Sequence, residues 1–297
     1  MRHNGEPMKL TGKGREALNG YLLLIPAFGL LAALLIYPIF YAAWMSFHSK
    51  IFGGPAIYVG IKNYIDILSD PEFYSSFLRS FLYTFGAVSF KLIIGLLVGI
   101  LLNREFKMRR IVRSTVILPW VIPLFVVAFI WMWMYDYALG LLNNALKAAG
   151  LPVVYWLSRD NAMTSLIVVN IWRGFPFFAM GILSGLQSVP QDLLDAAAVD
   201  GASAFQRFRH VILPWIMPVI GIVSLLSMIW TFGDFTTVWL LTRGGPGKAS
   251  TTIPIYLYYI VYAEFDTGKA SAASILTLPF SIFFIYLIVR LLRRAQE

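Results

Sequence analysis

Cysteine is absent from this chain of 297 residues, and histidine occurs only three times. The lack of cysteine excludes disulfide bonds and thiol chemistry, and it leaves the redox compartment of the protein undetermined. His3, His48 and His210 do not have the spacing of a metal site or of a Ser-His-Asp triad. The sequence therefore predicts neither a metal centre nor a set of catalytic residues.

Nucleotide-binding motifs are missing as well. The segment GGPGK at 244–248 would need Gly in place of Thr242 and Ser or Thr in place of Ala249 to form a phosphate-binding loop. The segment LSGLQ at 183–187 is close to the LSGGQ signature of ATPases, but it ends an apolar run. We therefore expect that the chain is not an enzyme, holds no cofactor and does not itself bind or hydrolyse ATP.

Charged residues are scarce, at 13% of the chain, whereas hydrophobic residues make up 59%. A mean hydropathy of +0.72 is too high for a soluble protein of this length, so the composition indicates a membrane protein. The formal net charge of +9 would suit a nucleic-acid-binding protein, but no basic patch with interleaved aromatic residues is present. The basic residues instead lie between apolar runs, so we expect contact with a lipid membrane and none with nucleic acid.

Six apolar runs predict an all-α integral membrane protein with about six transmembrane helices. The runs occupy residues 20–47, 76–102, 114–135, 162–187, 214–242 and 268–292. A helix of about 20 residues crosses the roughly 30 Å of hydrocarbon in a bilayer. The first run is long enough to do so, and it is too long for the apolar core of a cleaved signal peptide.

Six spans place both chain ends on the same side of the membrane. Of the lysines and arginines, 14 flank the spans on that side and eight on the opposite side. Because cytoplasmic segments carry the excess of Lys and Arg, we expect the basic tail 1–19, the basic loop 104–113, the polar segment 188–213 and the tail 293–297 to be cytoplasmic. The other loops are expected on the outer face. They occupy 49–75, 138–161 and 244–266.

The polar segment begins at Ser188 and reads SVPQDLLDAAAVDGASAFQRFRHVILP. Ser188 is a candidate N-cap for a first helix, and Gly201 can take the left-handed conformation that ends such a helix. Ser203 and Gln206 then have the spacing of a capping box for a second helix. We expect Pro214 to end that second helix. The segment therefore predicts a helix, a glycine turn and a second helix.

The spacing within this segment is acid-Ala-Ala, three residues, Gly, nine residues, aliphatic-x-Leu-Pro. This pattern resembles the cytoplasmic coupling loop of the membrane permease subunits of ABC importers, although that family usually has Glu in place of Asp195. Asp200 before the glycine and Pro218 near the end resemble its carbohydrate-uptake branch. The positions that the resemblance implies for coupling to an ATPase are Asp195, Ala196, Ala197, Asp200, Gly201, Phe205, Leu213 and Pro214.

The resemblance covers most of residues 20–290. It implies the type I permease fold, with residues 20–292 as one permease domain in a bacterial inner membrane. It also implies separate partners: two ATPase subunits that bind ATP and Mg, an extracytoplasmic substrate-binding protein, and a sugar or sugar derivative as substrate. The segment LTRGGPGKAST at 241–251 resembles a passage found in one of two permease types, which implies a second, non-identical permease. The alternatives are a self-sufficient secondary transporter or channel, or a membrane-embedded enzyme.

Lys91, Arg173 and Asp234 lie within apolar runs, where an unpaired charge costs several kcal/mol. At about 1.5 Å per residue from the outer ends of their spans, Arg173 lies roughly 16 Å deep, Asp234 roughly 13 Å and Lys91 roughly 22 Å. Arg173 and Asp234 are therefore level enough to form an ion pair between spans four and five. The other hypothesis is a hydrated substrate cavity, in which one surplus positive charge would favour an anionic sugar derivative. Its candidate lining residues are Lys91, Trp131, Asn170, Arg173, Trp230, Asp234 and Trp239.

Overall fold

The computed structural model describes residues 12–51 and 53–294. Residues 1–11 of the predicted N-terminal tail and 295–297 of the predicted C-terminal tail lie outside the described residues. The described chain is helical along most of its length, which confirms the predicted all-α class. Its first helix begins at Gly12, inside the segment predicted as a tail.

The described residues form fourteen α-helices, two short strands and two π-helical turns. They are α1 Gly12–Leu31, a π-helical turn Ala32–Ile36, α2 Tyr37–Met45, β1 His48–Ser49, β2 Ile57–Tyr58, α3 Lys62–Leu68, α4 Pro71–Asn103, α5 Arg109–Val121, α6 Leu124–Met134, α7 Leu141–Ala148, α8 Ala162–Gln187, α9 Gln191–Val199, α10 Ala204–Arg207, a second π-helical turn Phe208–Ile212, α11 Leu213–Phe232, α12 Thr236–Leu241, α13 Ile253–Tyr262 and α14 Thr267–Arg294. Strands β1 and β2 pair antiparallel as a short hairpin.

Five helical stretches of the described residues are long and apolar enough to cross a membrane. They are Gly20–Met45, Pro71–Asn103, Ala162–Gln187, Ala204–Phe232 and Thr267–Arg290. Helices α5 and α6 together make a sixth apolar stretch, bent by 92° between them. The prediction of about six spans is therefore confirmed by length and composition.

The predicted third span, 114–135, is not one straight helix. Ile122, between α5 and α6, is extended, with φ −63° and ψ 133°. Pro123 causes this break, because proline offers no N–H to the preceding turn and disfavours the helical conformation of the residue before it. The break turns the start of α6 away from the axis of α5.

The fifth span also differs from the prediction. Pro214 does not end the second helix of the polar segment, because α10 continues through the π-helical turn into α11. Leu213 donates its N–H to the carbonyl of Phe208, and Pro214 follows in the first turn of α11, where a missing N–H is tolerated. The span ends at Phe232 rather than near Thr242, and α12 is a separate helix.

Helix α8 packs against α4, α5 and α11. Small residues allow these helices to approach closely: Gly95 of α4 faces Phe178 and Ala179 of α8, and Gly185 of α8 faces Ile216 of α11. Apolar side chains fill the remaining space between α4, α8 and α11. They include Val88, Phe178, Ile182, Ile216, Ile220 and Val223. This packing fixes the polar side chains that the same helices place between them.

The three segments predicted as outer loops contain the short helices α3, α7 and α13, which hydropathy alone does not separate from the loops. Buried amide groups hold two of them in place. Asn63 donates to the carbonyls of Ser46 and His48 at 2.9 and 3.0 Å, and Asn143 exchanges hydrogen bonds with the backbone of Val154. These elements lie at the end of the bundle opposite α9 and α10.

Candidate functional site

The polar segment folds as a helix, a glycine turn and a helix, as predicted. Gly201 ends α9 with φ +78°, and its N–H donates to Ala198 while the N–H of Ala202 donates to Ala197, at 3.1 and 3.0 Å. This is the Schellman pattern, which requires a left-handed residue that glycine adopts without strain. We call residues 191–207 the coupling loop.

The second helix of the coupling loop begins with the predicted capping box. The Ser203 hydroxyl accepts the N–H of Gln206, and the Gln206 side chain accepts the N–H of Ser203 at 2.7 Å. The prediction that Ser188 caps the first helix is wrong. Pro190 occupies the N-cap position, and the Ser188 hydroxyl donates to the carbonyl of Gly185 at the end of α8. Pro190 has φ −60° and ψ 131°, the extended conformation that an N-cap residue usually has.

The coupling loop exposes apolar surface that no other described residue covers. Val199 is 88% exposed and Phe205 is 70% exposed. A Cβ atom built on Gly201 would have no described atom within 4 Å apart from its chain neighbours. Asp195 is exposed too, and its carboxylate accepts a hydrogen bond from Gln191 at 2.9 Å. Exposed apolar groups at the tip of a rigid hairpin are typical of a protein-protein contact.

The predicted coupling residues do not all lie together. Ala196, Ala197 and Asp200 lie on α9 or at its end, beside Gly201. Leu213 and Pro214 lie instead at the start of α11, and Leu213 packs against the apolar cluster between α8 and α11. Leu213 and Pro214 therefore connect the coupling loop to the membrane helix.

A cavity of about 260 Å³ lies between α4, the α5–α6 break, α8 and α11. Its lining residues are Lys91, Trp120, Leu124, Asn170, Arg173, Gly174, Ser227, Trp230, Thr231 and Asp234. We call it the charged cavity. Five of the seven predicted pathway residues line it.

Trp131 and Trp239 do not line the charged cavity, contrary to the prediction. Trp131 is buried at 6% exposure and packs against Tyr135 and Trp172. Trp239 lies on α12, beyond the end of the fifth span, and packs against Tyr258. The bend between α5 and α6 and the early end of α11 move both indoles away from the charged side chains.

The Asp234 carboxylate does not pair with Arg173. Among the described residues, the ion pairs join Glu72 with Arg79 and Lys248, and Glu264 with Lys269. Asp234 follows the end of α11, so its carboxylate points to the start of α12. One oxygen accepts the N–H of Thr237 at 3.0 Å, and the other accepts the Tyr83 hydroxyl at 2.8 Å and the Asn170 amide at 3.1 Å.

Lys91 is 4% exposed and donates to two hydroxyl groups of α11, those of Ser227 at 3.2 Å and Thr231 at 3.0 Å. Gly174 leaves room for it: a Cβ there would lie 2.6 Å from Lys91 Cε. The Arg173 guanidinium lies over the Trp120 ring, with Cζ 5.3 Å from its centroid. A cation over an indole face is stabilised by the ring quadrupole.

The family model for "Binding-protein-dependent transport system inner membrane component" matches residues 91–297. The chain belongs to this family.

Curated relatives of the permease include the trehalose/maltose transport system permease protein MalF of Thermococcus litoralis, which is 37% identical over 95% of this chain and 97% of its own length. The sulfoquinovosyl glycerol transport system permease protein SmoG of Agrobacterium fabrum is 31% identical over 94% of this chain and 91% of its own. The relatives thus match the permease over almost their whole length. The permease is therefore the membrane subunit of an ABC transporter, as the spacing of residues in the coupling loop predicted.

A bacterial ABC transporter that imports the acidic polysaccharide alginate has a chain with the same fold. The comparison of that chain with the permease gives a TM-score of 0.79 at 21% sequence identity, over 95% of the permease and 96% of the alginate transporter chain. A methionine ABC transporter, MetNI, gives a TM-score of 0.55 over 77% of the permease. The predicted type I permease fold is therefore confirmed.

Six lining or supporting residues of the charged cavity were missed from the sequence: Tyr83, Trp120, Leu124, Gly174, Ser227 and Thr231. Ser227 and Thr231 are four residues apart in an apolar run, so their hydroxyls share one face of α11, and this spacing was a usable signal. No sequence signal indicated that Trp120 lines the cavity, because its position depends on the bend at Pro123.

A larger cavity, of about 440 Å³, lies at the opposite end of the permease from the coupling loop. The loop 243–251 and α13 line it together with Asp70 and Glu72 at the start of α4. Tyr256 donates to Asp70 at 2.7 Å, and burial together with this carboxylate raises the pKa of the Tyr256 phenol. Tyr256 therefore stays protonated and ties α13 to the start of the second span.

Proposed function

We propose that this permease forms the translocation pathway for a sugar or sugar derivative in an ATP-driven importer. The names of the relatives support the sugar class, because two of them are named for trehalose and maltose and for sulfoquinovosyl glycerol. The observation that carries the ATP-driven part is the coupling loop: a rigid hairpin with exposed Val199 and Phe205 and with open space around Gly201. A self-sufficient secondary transporter or channel has no need of such a surface.

The partners follow from this proposal. Two ATPase subunits would bind ATP and Mg and receive the coupling loop through Asp195, Ala196, Ala197, Asp200, Gly201 and Phe205. The loop and both chain ends would then be cytoplasmic. A binding protein would deliver the substrate at the opposite end, formed by α3, α7, α13 and the loop 243–251. A second, non-identical permease would complete the pathway.

One continuous stretch of helix connects the coupling loop to the charged cavity and would transmit motion between them. The Schellman turn and the capping box hold α9 and α10 in one arrangement, so a push on the coupling loop moves both. From Ala204 the helix runs unbroken to Phe232, a stretch of 29 residues, or about 43 Å at 1.5 Å per residue. Ser227 and Thr231, the partners of Lys91, lie near its far end. Motion of an ATPase subunit would therefore displace one wall of the charged cavity.

The charged cavity is the proposed part of the substrate pathway in this chain. Sugar hydroxyls bind polar side chains, and the apolar faces of sugar rings stack on indoles. Asn170, Asp234 and Lys91 supply polar groups, and Trp230, whose ring centroid lies 5.7 Å from that of Trp120, supplies an aromatic face. The volume of about 260 Å³ is slightly below the roughly 300–1,000 Å³ of typical ligand pockets. A second permease facing this cavity would supply the rest.

The test is to purify the tagged permease from its native membrane with its associated chains and to reconstitute the assembly in vesicles that contain ATP and Mg. We expect ATPase chains to co-purify, and we expect uptake of a radiolabelled sugar panel to stop when ATP is replaced by a non-hydrolysable analogue. Uptake that persists without ATP and stops when a protonophore removes the ion gradient would refute the proposal and support a secondary transporter.

A further inference from the structure

We infer that the charged cavity selects a sugar derivative with an anionic group, a carboxylate, sulfonate or phosphate, bound between Lys91 and Arg173. This inference rests on the proposed function, because it assumes that the cavity belongs to the substrate pathway. It goes further by assigning the chemical class of the substrate and the two side chains that recognise it.

The charges of the cavity do not balance. Lys91 and Arg173 contribute two positive charges, and Asp234 contributes the single negative charge among the lining residues. The Asp234 carboxylate is already occupied by three donors: the Tyr83 hydroxyl, the Asn170 amide and the N–H of Thr237. It forms no ion pair with either cation within the described chain. One positive charge of the cavity is thus left over after Asp234 is counted.

Lys91 is held in place without being neutralised. Both hydrogen-bond partners of its ammonium group are uncharged hydroxyls, from Ser227 and Thr231. An ammonium group has three N–H donors, so a third remains for another acceptor. Because the side chain is only 4% exposed, water compensates its charge poorly, and an anionic substrate group would do so better.

Arg173 is likewise held in place while its hydrogen-bond donors stay unpaired within the described part of the chain. Its guanidinium stacks over Trp120, and Trp120 in turn stacks on Phe177 at 5.1 Å between ring centroids. Its buried Nε–H has no acceptor among the described residues. Stacking fixes the plane of the guanidinium and leaves its N–H groups free at the edge, where carboxylate and phosphate groups bind in a fork.

Gly174 brings the two cations to the same cavity. It directly follows Arg173 in α8, and a Cβ at this position would lie 2.6 Å from Lys91 Cε and 3.0 Å from Nζ. The missing side chain lets the lysine from α4 lie against the α8 backbone beside Arg173. Gly174→Ala would displace the ammonium group without removing its charge, because the atoms in conflict are the far end of a flexible side chain.

The experiment measures equilibrium binding of two labelled disaccharides that differ by one carboxylate, cellobiose and cellobiouronate, to the assembled transporter in lipid nanodiscs. We expect the wild type to prefer the uronate. Lys91→Met and Arg173→Gln should each lower uronate affinity by about tenfold or more, as for loss of a hydrogen bond to a charged group, and should change cellobiose affinity little. Gly174→Ala should reduce the preference, and Lys91→Arg should retain it.

The matched control is Leu124→Ala, which removes an apolar group from the lining of the same cavity and should affect both sugars alike. If Lys91→Met fails to assemble, Gly174→Ala and Lys91→Arg carry the comparison. Equal affinities, no measurable uronate binding or a preference for cellobiose in the wild type would overturn the inference, as would equal losses for both sugars in the charge variants. ATP-dependent uptake without a preference for the anion overturns only this inference, whereas absence of ATP-dependent uptake overturns the proposed function.

Discussion

The contact between α4 and α8 gives the sharpest prediction about stability, because it depends on a missing side chain at Gly95. A Cβ at residue 95 would overlap the Cβ of Phe178 and would lie 3.0 Å from the backbone nitrogen of Ala179. Non-bonded carbon contacts are optimal at about 3.5–4.0 Å. Gly95→Ala therefore forces α4 and α8 apart by about 1 Å, and the backbone of α8 cannot move aside as a flexible side chain could.

Two effects of Gly95→Ala oppose each other. Alanine is a better helix former than glycine by about 1 kcal/mol. Overpacking of a tight interior costs about 1–3 kcal/mol, and contact with backbone places this case near the upper value. The expected net loss in the free energy of unfolding is about 1–2 kcal/mol. At roughly 2–4 °C per kcal/mol for a protein of about this size, the melting temperature should fall by about 2–8 °C.

The matched control is Gly29→Ala in α1, where a Cβ would meet no described atom within 4 Å. It keeps the gain in helix propensity and omits the clash, so its melting temperature should be unchanged or higher. Both variants are measured by thermal unfolding in the same detergent, followed by size-exclusion chromatography. A Gly95→Ala protein that melts at or above the wild-type temperature would show that α4 and α8 do not pack as closely as described.

Three further predictions concern function. Gly201→Val places a branched residue at φ +78°, which costs about 1–2 kcal/mol, and should abolish ATP-coupled uptake while membrane insertion persists. Gly150→Val has the same strain at φ +72° but lies in the loop between α7 and α8, so it should leave coupling intact. Equal losses in both variants would count against the coupling role. Asp195→Glu should retain ATP-coupled transport, because it restores the residue usual in the family; complete uncoupling would contradict the alignment. The purified permease alone should not turn over ATP, a result checked by phosphate release, and stoichiometric turnover by this chain would contradict it.

Much of the coupling loop was predictable because its interactions are local. Gly201 and the Ser203–Gln206 capping box act over three to five residues, so their spacing in the sequence specifies the turn directly. The end of the second helix at Pro214 was predicted wrongly. Pro214 is tolerated because the π-helical turn before Leu213 already changes the hydrogen-bond spacing at that point, and because packed membrane helices accept a proline within them.

The sequence by itself determined the membrane class, the approximate spans, the family and the set of charges at membrane depth, because hydrophobic length and motif spacing are properties of contiguous segments. The arrangement of those charges depended on tertiary structure. Depth counted along ideal helices suggested an Arg173–Asp234 pair, but α11 ends at Phe232 and turns Asp234 toward Tyr83 and Asn170. The 92° bend between α5 and α6 brings Trp120 to the cavity. Such contacts join residues far apart in the chain, and only the packing of α4, α5, α8 and α11 decides which of them meet.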